Sequence, residues 1–288
     1  MGAADVAGPG ALVLVATPIG NLGDLTPRAV QELRVADVIA AEDTRRTRAL
    51  LSHAGVPGGG RLRAVHGHNE QARAAAIVEE VRNGARVAYV TDAGMPGISD
   101  PGARLVRACV DAGLPVEVVP GPSAALTALV LSGLPTARFA FEGFLPTRGS
   151  GRKDRLAAIE REERTIVLFE APHRLVQTLT DLVEACGGSR RAAIARELTK
   201  LHEEVWRGTL QGALEQFVAR EPRGEFVVVI EPREEVVAEP TDDELESGAV
   251  ELVREGLSTR EAADALAIRF RVPRRRAYDA VIAQRRAR

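Results

Sequence analysis

One arrangement recurs through the first half of the chain: a short apolar run, a loop dense in glycine and proline, then helical spacing. The runs are residues 11–16 (ALVLVA), 35–41 (VADVIAA), 61–65 (RLRAV), 86–91 (RVAYVT) and 115–119 (PVEVV). A continuous apolar run suits a strand covered on both faces, as in a parallel sheet. Five strand–loop–helix units in about 130 residues call for a parallel, doubly wound sheet. Such sheets bind ligands in the loops outside the carboxyl ends of their strands.

Those loops carry the chemistry. The loop after residues 86–91 reads DAGMPGISDPG, with Pro96 and Pro101 stiffening it and Asp92 and Asp100 offering two carboxylates. A helix with Leu105, Val106 and Val110 on one face should come next. The first loop, TPIGNLGDLTPRA, ends with Thr26 as N-cap and Pro27 as first helical residue. At the second, Glu42 and Asp43 open a helix carrying Leu50 and Leu51. The third, His66-Gly67-His68-Asn69-Glu70, reads as a polar loop lining a site. No further His or Cys lies at ligand spacing, so no metal is expected. In the fifth, Pro120, Gly121 and Pro122 form a rigid turn and Ser123 caps a very apolar helix. No GxGxxG, GxxxxGK[ST] or Asp-x-Gly-x-Gly-x-Gly occurs, so any cofactor rests in several short loops.

The pattern changes after Gly133. Strands are expected over 138–144, 165–170, 192–197 and 226–230, with a hairpin or edge strand at 205–210 around Trp206. A helix should start at Pro172. The stretch LPTRGSGRKDRL reads as a flexible basic loop bearing Arg148, Arg152, Lys153 and Arg155. Residues 1–133 and 134–233 are thus expected to form two α/β domains, and 240–288 a helical module. An acidic linker over 231–246 runs into that module. Ser258 and Glu261 make a capping box, and a second helix starts after Pro273. The tail arginines, among them Arg260, Arg269, Arg271, Arg274, Arg275, Arg276, Arg285, Arg286 and Arg288, suit phosphate contact in a helix-turn-helix-like module. A small helical appendage with a solvated charged face fits the same residues.

Bulk properties narrow the class. The 38 basic and 40 acidic residues nearly cancel, and only Lys153 and Lys200 are lysines. Arginine suits phosphate because its planar fork binds two oxygens. Cys109 and Cys186 are too few for a disulfide framework. No run reaches membrane-spanning length, and MGAADVAGPGA lacks a signal-peptide pattern, so a cytoplasmic protein without membrane attachment is expected.

In order, TPIGNLGDLTPRA, AAEDTR, HGHNE, TDAGMPGISDPG, PGPSA, EGFLP, EAPHRL, ARELTK and GEFV resemble the loops of the tetrapyrrole methylase superfamily, specifically its ribosomal RNA branch. The likeness spans roughly residues 10 to 231, and the tail is similar to that branch's C-terminal helical module. It implies a two-domain αβα protein, a homodimer, binding S-adenosylmethionine between its domains. The implied reaction is methylation of the ribose 2′-oxygen of a cytidine in the decoding centre of 16S rRNA, free or in the small subunit. Implied cofactor contacts are Pro18, Gly20, Asp92, Gly94, Ile98, Ser99, Pro122, Ser123, Ala124, Phe169, Glu170 and Leu198. The first loop lacks the GxGxGDP-like spacing of tetrapyrrole methylases proper, which counts against a corrin or haem-precursor substrate.

Methyl transfer to a hydroxyl needs positioning and a proton acceptor. Asp100, Glu170, Glu197 and Lys200 lie at expected strand ends or ligand loops and are the candidates. RNA contact falls to Arg148, Arg152, Lys153 and Arg155 and to Arg274, Arg275 and Arg276. A tetrapyrrole-precursor methyltransferase and a non-catalytic nucleic-acid-binding protein are the alternative readings.

Overall fold

The computed structural model describes residues 10–67, 70–233 and 240–286. They fall into two units, Met1–Arg233 and Glu234–Arg288. His68, Asn69 and Arg288 lie outside the described residues, as does the 234–239 part of the acidic linker.

The first sheet holds β1 (Ala11–Val15), β2 (Val38–Ala41), β3 (Leu62–Ala64), β4 (Arg86–Val90) and β5 (Val116–Val119). All pairings are parallel, in the order β3-β2-β4-β1-β5. Alternate residues of a strand face opposite ways, and β1 shows both faces buried. Ala11, Val13 and Val15 pack with Leu33 of α1 (Pro27–Val35) and Leu51 of α2 (Thr44–His53). Leu12 and Leu14 pack with Ile77 and Val81 of α3 (Glu70–Arg82) and Leu105 and Cys109 of α4 (Ala103–Asp111). Helices thus cover both faces, as a doubly wound sheet requires.

One boundary and one buried face differ from expectation. Val35 ends α1 and is 56% exposed, and the second strand starts only at Val38. Asp37 sets that start, because its carboxylate and N–H both bond the Arg86 backbone. On α4 the buried stripe is Leu105 and Cys109, one turn apart, whereas Val110 points to solvent at 56% exposure.

The second sheet runs β6 (Phe139–Phe144), β7 (Thr165–Glu170), β10 (Phe226–Ile230), β8 (Arg191–Arg196), β9 (Glu204–Thr209). β6 and β7 are parallel and the other pairs antiparallel. β10, last in sequence, is central and wholly buried, and β9 forms the edge. One face packs on α6 (Ser150–Arg161), α7 (Pro172–Cys186) and α8 (Leu210–Val218). The other takes Ala125, Ala128 and Leu129 of α5 (Ala124–Ser132), while Leu126 and Val130 of that apolar helix stay exposed.

The expected basic loop is largely helix α6, and Arg152 belongs to the interior. It is 8% exposed, and its guanidinium meets Asp181 Oδ2 at 2.6 Å, the Pro146 carbonyl at 2.9 Å and Thr178 Oγ1 at 3.0 Å. A buried arginine must be paired, so Arg152 is not an RNA contact. Arg155 pairs with Glu142 at 3.0 Å, while Arg148 and Lys153 are exposed.

The second unit contains α9 (Asp242–Arg254), α10 (Thr259–Phe270) and α11 (Arg274–Arg286) around Leu245, Ala249, Leu266, Ala277 and Val281. Capping boxes at Thr241/Glu244 and Ser258/Glu261 start α9 and α10. Several tail arginines tie this unit together. Arg274 pairs with Asp264, Arg276 bonds Asp242 and the Pro240 carbonyl, and Arg285 bonds the Leu257 carbonyl. Arg275 is exposed.

Candidate functional site

The strand order reverses between β4 and β1, and the loops after these two strands meet there. Thr17 and Gly94 pair through reciprocal backbone bonds of 2.9 and 3.0 Å. The Thr17 hydroxyl also donates to the Thr91 carbonyl. Gly94 adopts φ +77°, and a Cβ there would lie 3.2 Å from Ile19. Glycine takes that conformation with little strain. The far end of the 91–102 loop is fixed by Glu70. Its Oε1 accepts from the N–H groups of Gly102, Arg104 and Leu105 at 2.9, 3.0 and 3.1 Å. Glu70 therefore caps α4, where Gly102 offers no side chain, and is 5% exposed rather than lining a site.

From the second sheet the 197–203 turn comes forward onto the first loop. Thr199 Oγ1 accepts from Asn21 N at 3.0 Å, and a Cβ on Gly20 would fall 2.4 Å from Lys200 Cγ and 2.9 Å from the Leu198 carbonyl. Only glycine permits that approach. Glu197 and Thr199 adopt positive φ, as does Ser99 in the opposite loop. Left-handed non-glycine backbone persists where its surroundings enforce it, commonly at functional sites.

These loops enclose two adjoining cavities. The first, about 300 Å³, is lined by Gly94, Ile98, Ser99, Asp100, Ser123, Ala124, Phe169, Glu170 and Leu198 among the expected residues. Ile19, Ala93, Met95, Phe144, Glu225 and Phe226 also line it. Of these, Phe144 had a signal in EGFLP. The strand register shifts between Phe141 and Gly143, and a bulge re-aims the side chains beyond it. Phe144 and Phe141 pack edge-on against Phe169, with centroids 5.6 and 5.0 Å away. The second cavity, about 330 Å³, is lined by Pro18, Gly20, Asp92 and Lys200, with Arg46, Thr47 and Thr91. Ile19, Ala93 and Glu225 line both. Pro122 and Glu197 line neither. Ser123 sits at the N-cap of α5, yet its hydroxyl takes no helix N–H, so the expected cap is not made.

The four acid–base candidates separate clearly. Glu170 is 2% exposed; Thr178 donates to it at 2.5 Å, Ala171 N at 2.8 Å, and Arg174 lies 3.4 Å away. Lys200 Nζ sits 2.8 Å from both Glu197 and Glu225. Burial alone would lower the lysine, but the two carboxylates outweigh it and hold Lys200 above its ordinary range. Burial likewise works against ionised Glu197, and the ammonium with the Glu225 N–H overcomes it, holding the acid low. These three are committed to partners. Asp100 has no side-chain hydrogen bond or ion pair among the described residues, and burial, reinforced by Glu42, Asp92 and Glu225, pushes it up to about 7. A carboxyl so tuned can exchange a proton near neutrality. Asp92 is held differently, accepting from Asp43 N and pairing with Arg46, both at 3.2 Å.

Among the described residues no group of His, Cys, Asp and Glu could hold a metal, and no helix is long and apolar enough to cross a membrane.

Comparison with known proteins agrees with this architecture. Ribosomal RNA small subunit methyltransferase I of Synechocystis sp. is 48% identical over 274 residues, covering 93% of this chain and 96% of its own. The protein of that name from Mycobacterium tuberculosis is 46% identical over 281 residues, 96% of each chain. Among solved structures, uroporphyrin-III C-methyltransferase from Thermus thermophilus, complexed with S-adenosyl homocysteine, shares the fold. Its TM-score is 0.55 at 23% identity, over 77% of this chain and 97% of that one. The family model for tetrapyrrole (corrin/porphyrin) methylases matches residues 11–214, and with the two cavities at its strand ends the chain belongs to that family.

Proposed function

We propose that this protein methylates the ribose 2′-oxygen of a cytidine in the decoding centre of 16S rRNA, using S-adenosylmethionine. Methyl transfer to small-subunit rRNA draws support from relatives that align along nearly the whole chain. The observation that carries a hydroxyl as acceptor is Asp100, an unpaired carboxyl poised near neutrality in a cavity with aromatic walls.

The residues present fit the cofactor. Ile98, Phe144, Phe169 and Leu198 offer apolar and aromatic surface to a purine, and Ser123 leaves its hydroxyl unspent. Asp92, Asp100 and Glu225 give the region negative charge, which favours a cation. Bound there, S-adenosylmethionine supplies a methyl group on a sulfonium, a good leaving group. The chain must then hold the hydroxyl in line and take its proton. Asp100 receives that proton. Glu170, locked by Thr178 and Arg174, orients the β7–α7 corner, and the Glu197–Lys200–Glu225 triad holds the 197–203 turn over the first loop.

RNA contact falls to Arg148, Lys153, Arg155, Arg274, Arg275 and Arg276, all at the surface or partly so. The working form is a homodimer acting on rRNA or the small subunit. The test is methyl transfer from labelled S-adenosylmethionine to undermethylated small subunits, free rRNA and a porphyrinoid precursor, with nucleosides identified by mass spectrometry. Label in 2′-O-methylcytidine is expected. Label in a base, or only in the porphyrinoid, contradicts the reading.

A further inference from the structure

The turn that follows β6 closes a circuit of polar side chains. Arg174 of α7 donates to the Leu145 carbonyl at 2.6 Å and lies 3.4 Å from Glu170 Oε1. The other oxygen of Glu170 accepts from Thr178 at 2.5 Å, and Thr178 Oγ1 accepts from Arg152 Nη2 at 3.0 Å. Arg152 of α6 then donates to the Pro146 carbonyl at 2.9 Å, so the circuit ends one residue from where it began. Asp181 balances Arg152 at 2.6 Å and is itself fixed by Gln177 Nε2 at 2.7 Å. Two guanidinium groups and two carboxylates, with side chains at most 20% exposed, are thus gathered beside one turn.

Such a network costs desolvation that apolar packing of α6 and α7 would not. What it adds is direction, because each fork fixes where a carbonyl points and two adjacent carbonyls fix the backbone between them. The residue just before them is Phe144, which lines the first cavity and is 51% exposed. A half-exposed ring is little restrained by packing, so its backbone must aim it. On its other side Gly143 has φ +61°, and a Cβ there would lie 2.9 Å from Ser99 Oγ, in the loop that carries Asp100. We infer that Arg152, Thr178 and Arg174 are positioning residues for methyl transfer, holding Phe144 as the wall against which S-adenosylmethionine lies. None of the three lines the first cavity; each acts through the Leu145 and Pro146 carbonyls. This rests on the reading that the first cavity takes the donor, and deepens it.

The test is calorimetric titration of S-adenosylhomocysteine into the full chain and its variants, arranged as a double-mutant cycle. Phe144→Ala, at a half-exposed position, should bind about tenfold more weakly. Arg174→Lys keeps the charge beside Glu170 but loses the fork, and should bind about fivefold more weakly. In the Phe144→Ala background Arg174→Lys should cost nothing further, because the ring it positions is gone. An arginine with a merely structural role would lower affinity by the same factor in both backgrounds. Thr178→Val should behave as Arg174→Lys does, and Thr178→Ser, which restores the hydroxyl, as the parent does. Arg174 is partly exposed, so its variant decides the matter even if Thr178→Val fails to fold. Parental affinity in Arg174→Lys, or an equal loss with and without the Phe144 ring, would overturn the inference and leave the donor site in place. Parental affinity in Phe144→Ala would move the donor out of the first cavity, and the reading beneath would fall with the inference.

Discussion

Asp100 is the residue on which pH dependence should turn. With its carboxyl at about 7, and because a base must be deprotonated to act, kcat/KM should rise with pH through that value and level above it. Asp100→Asn should remove that limb and cost about 100-fold or more in rate, while leaving cofactor affinity measurable by calorimetry. Stability carries the same signature with the sign fixed by linkage. The folded state keeps a proton on Asp100 up to about 7, whereas the unfolded chain releases it near the ordinary aspartate value of 3.8. Stability therefore falls as pH rises through that window. Asp100→Asn should raise the thermal midpoint more at about pH 8 than at about pH 4. In sequence, Asp100, Glu170, Glu197 and Lys200 are equivalent: polar residues at strand ends or in the loops that follow them. What separates them is partners elsewhere along the chain, such as Thr178 for Glu170 and Glu225 for Lys200. No local pattern encodes those pairings.

At the scale of elements, the 91–102 loop is only as rigid as its two ends. One is pinned by the Thr17–Gly94 bridge, the other by the Glu70 carboxylate on the first N–H groups of α4. Glu70→Ala should cost about 1–2 kcal/mol, the range of a lost helix cap. Urea unfolding would measure that, and hydrogen exchange should quicken across the 91–102 loop before the rest of the sheet. Unchanged exchange in that loop would show that Glu70 does not brace it. Most elements are legible because apolar runs and capping residues are local: Thr26 does cap α1 and Pro172 does open α7. At two of the places where sequence and structure part, one cause operates. HGHNE and GRKDRL look like solvated polar stretches, and only tertiary partners make Glu70 an interior cap and Arg152 an interior ion-pair partner.

For the whole molecule, the repeated strand–loop–helix pattern leads to the doubly wound first sheet, and the motif likeness leads to the family. The pairing of β10 between β7 and β8 is beyond the sequence, since antiparallel neighbours need not be adjacent in the chain. So is the distribution of the implied cofactor contacts over two cavities rather than one. Ser123 and Phe169 share the first and Asp92 lines the second, with Ile19, Ala93 and Glu225 as common wall.

The most direct measurement is calorimetric titration of S-adenosylmethionine into the parent protein and into Ser123→Phe, which puts a ring into the first cavity. One site per chain is expected in the parent and none in the variant, at an unchanged thermal midpoint. Equal binding by both would place the donor elsewhere and contradict the account.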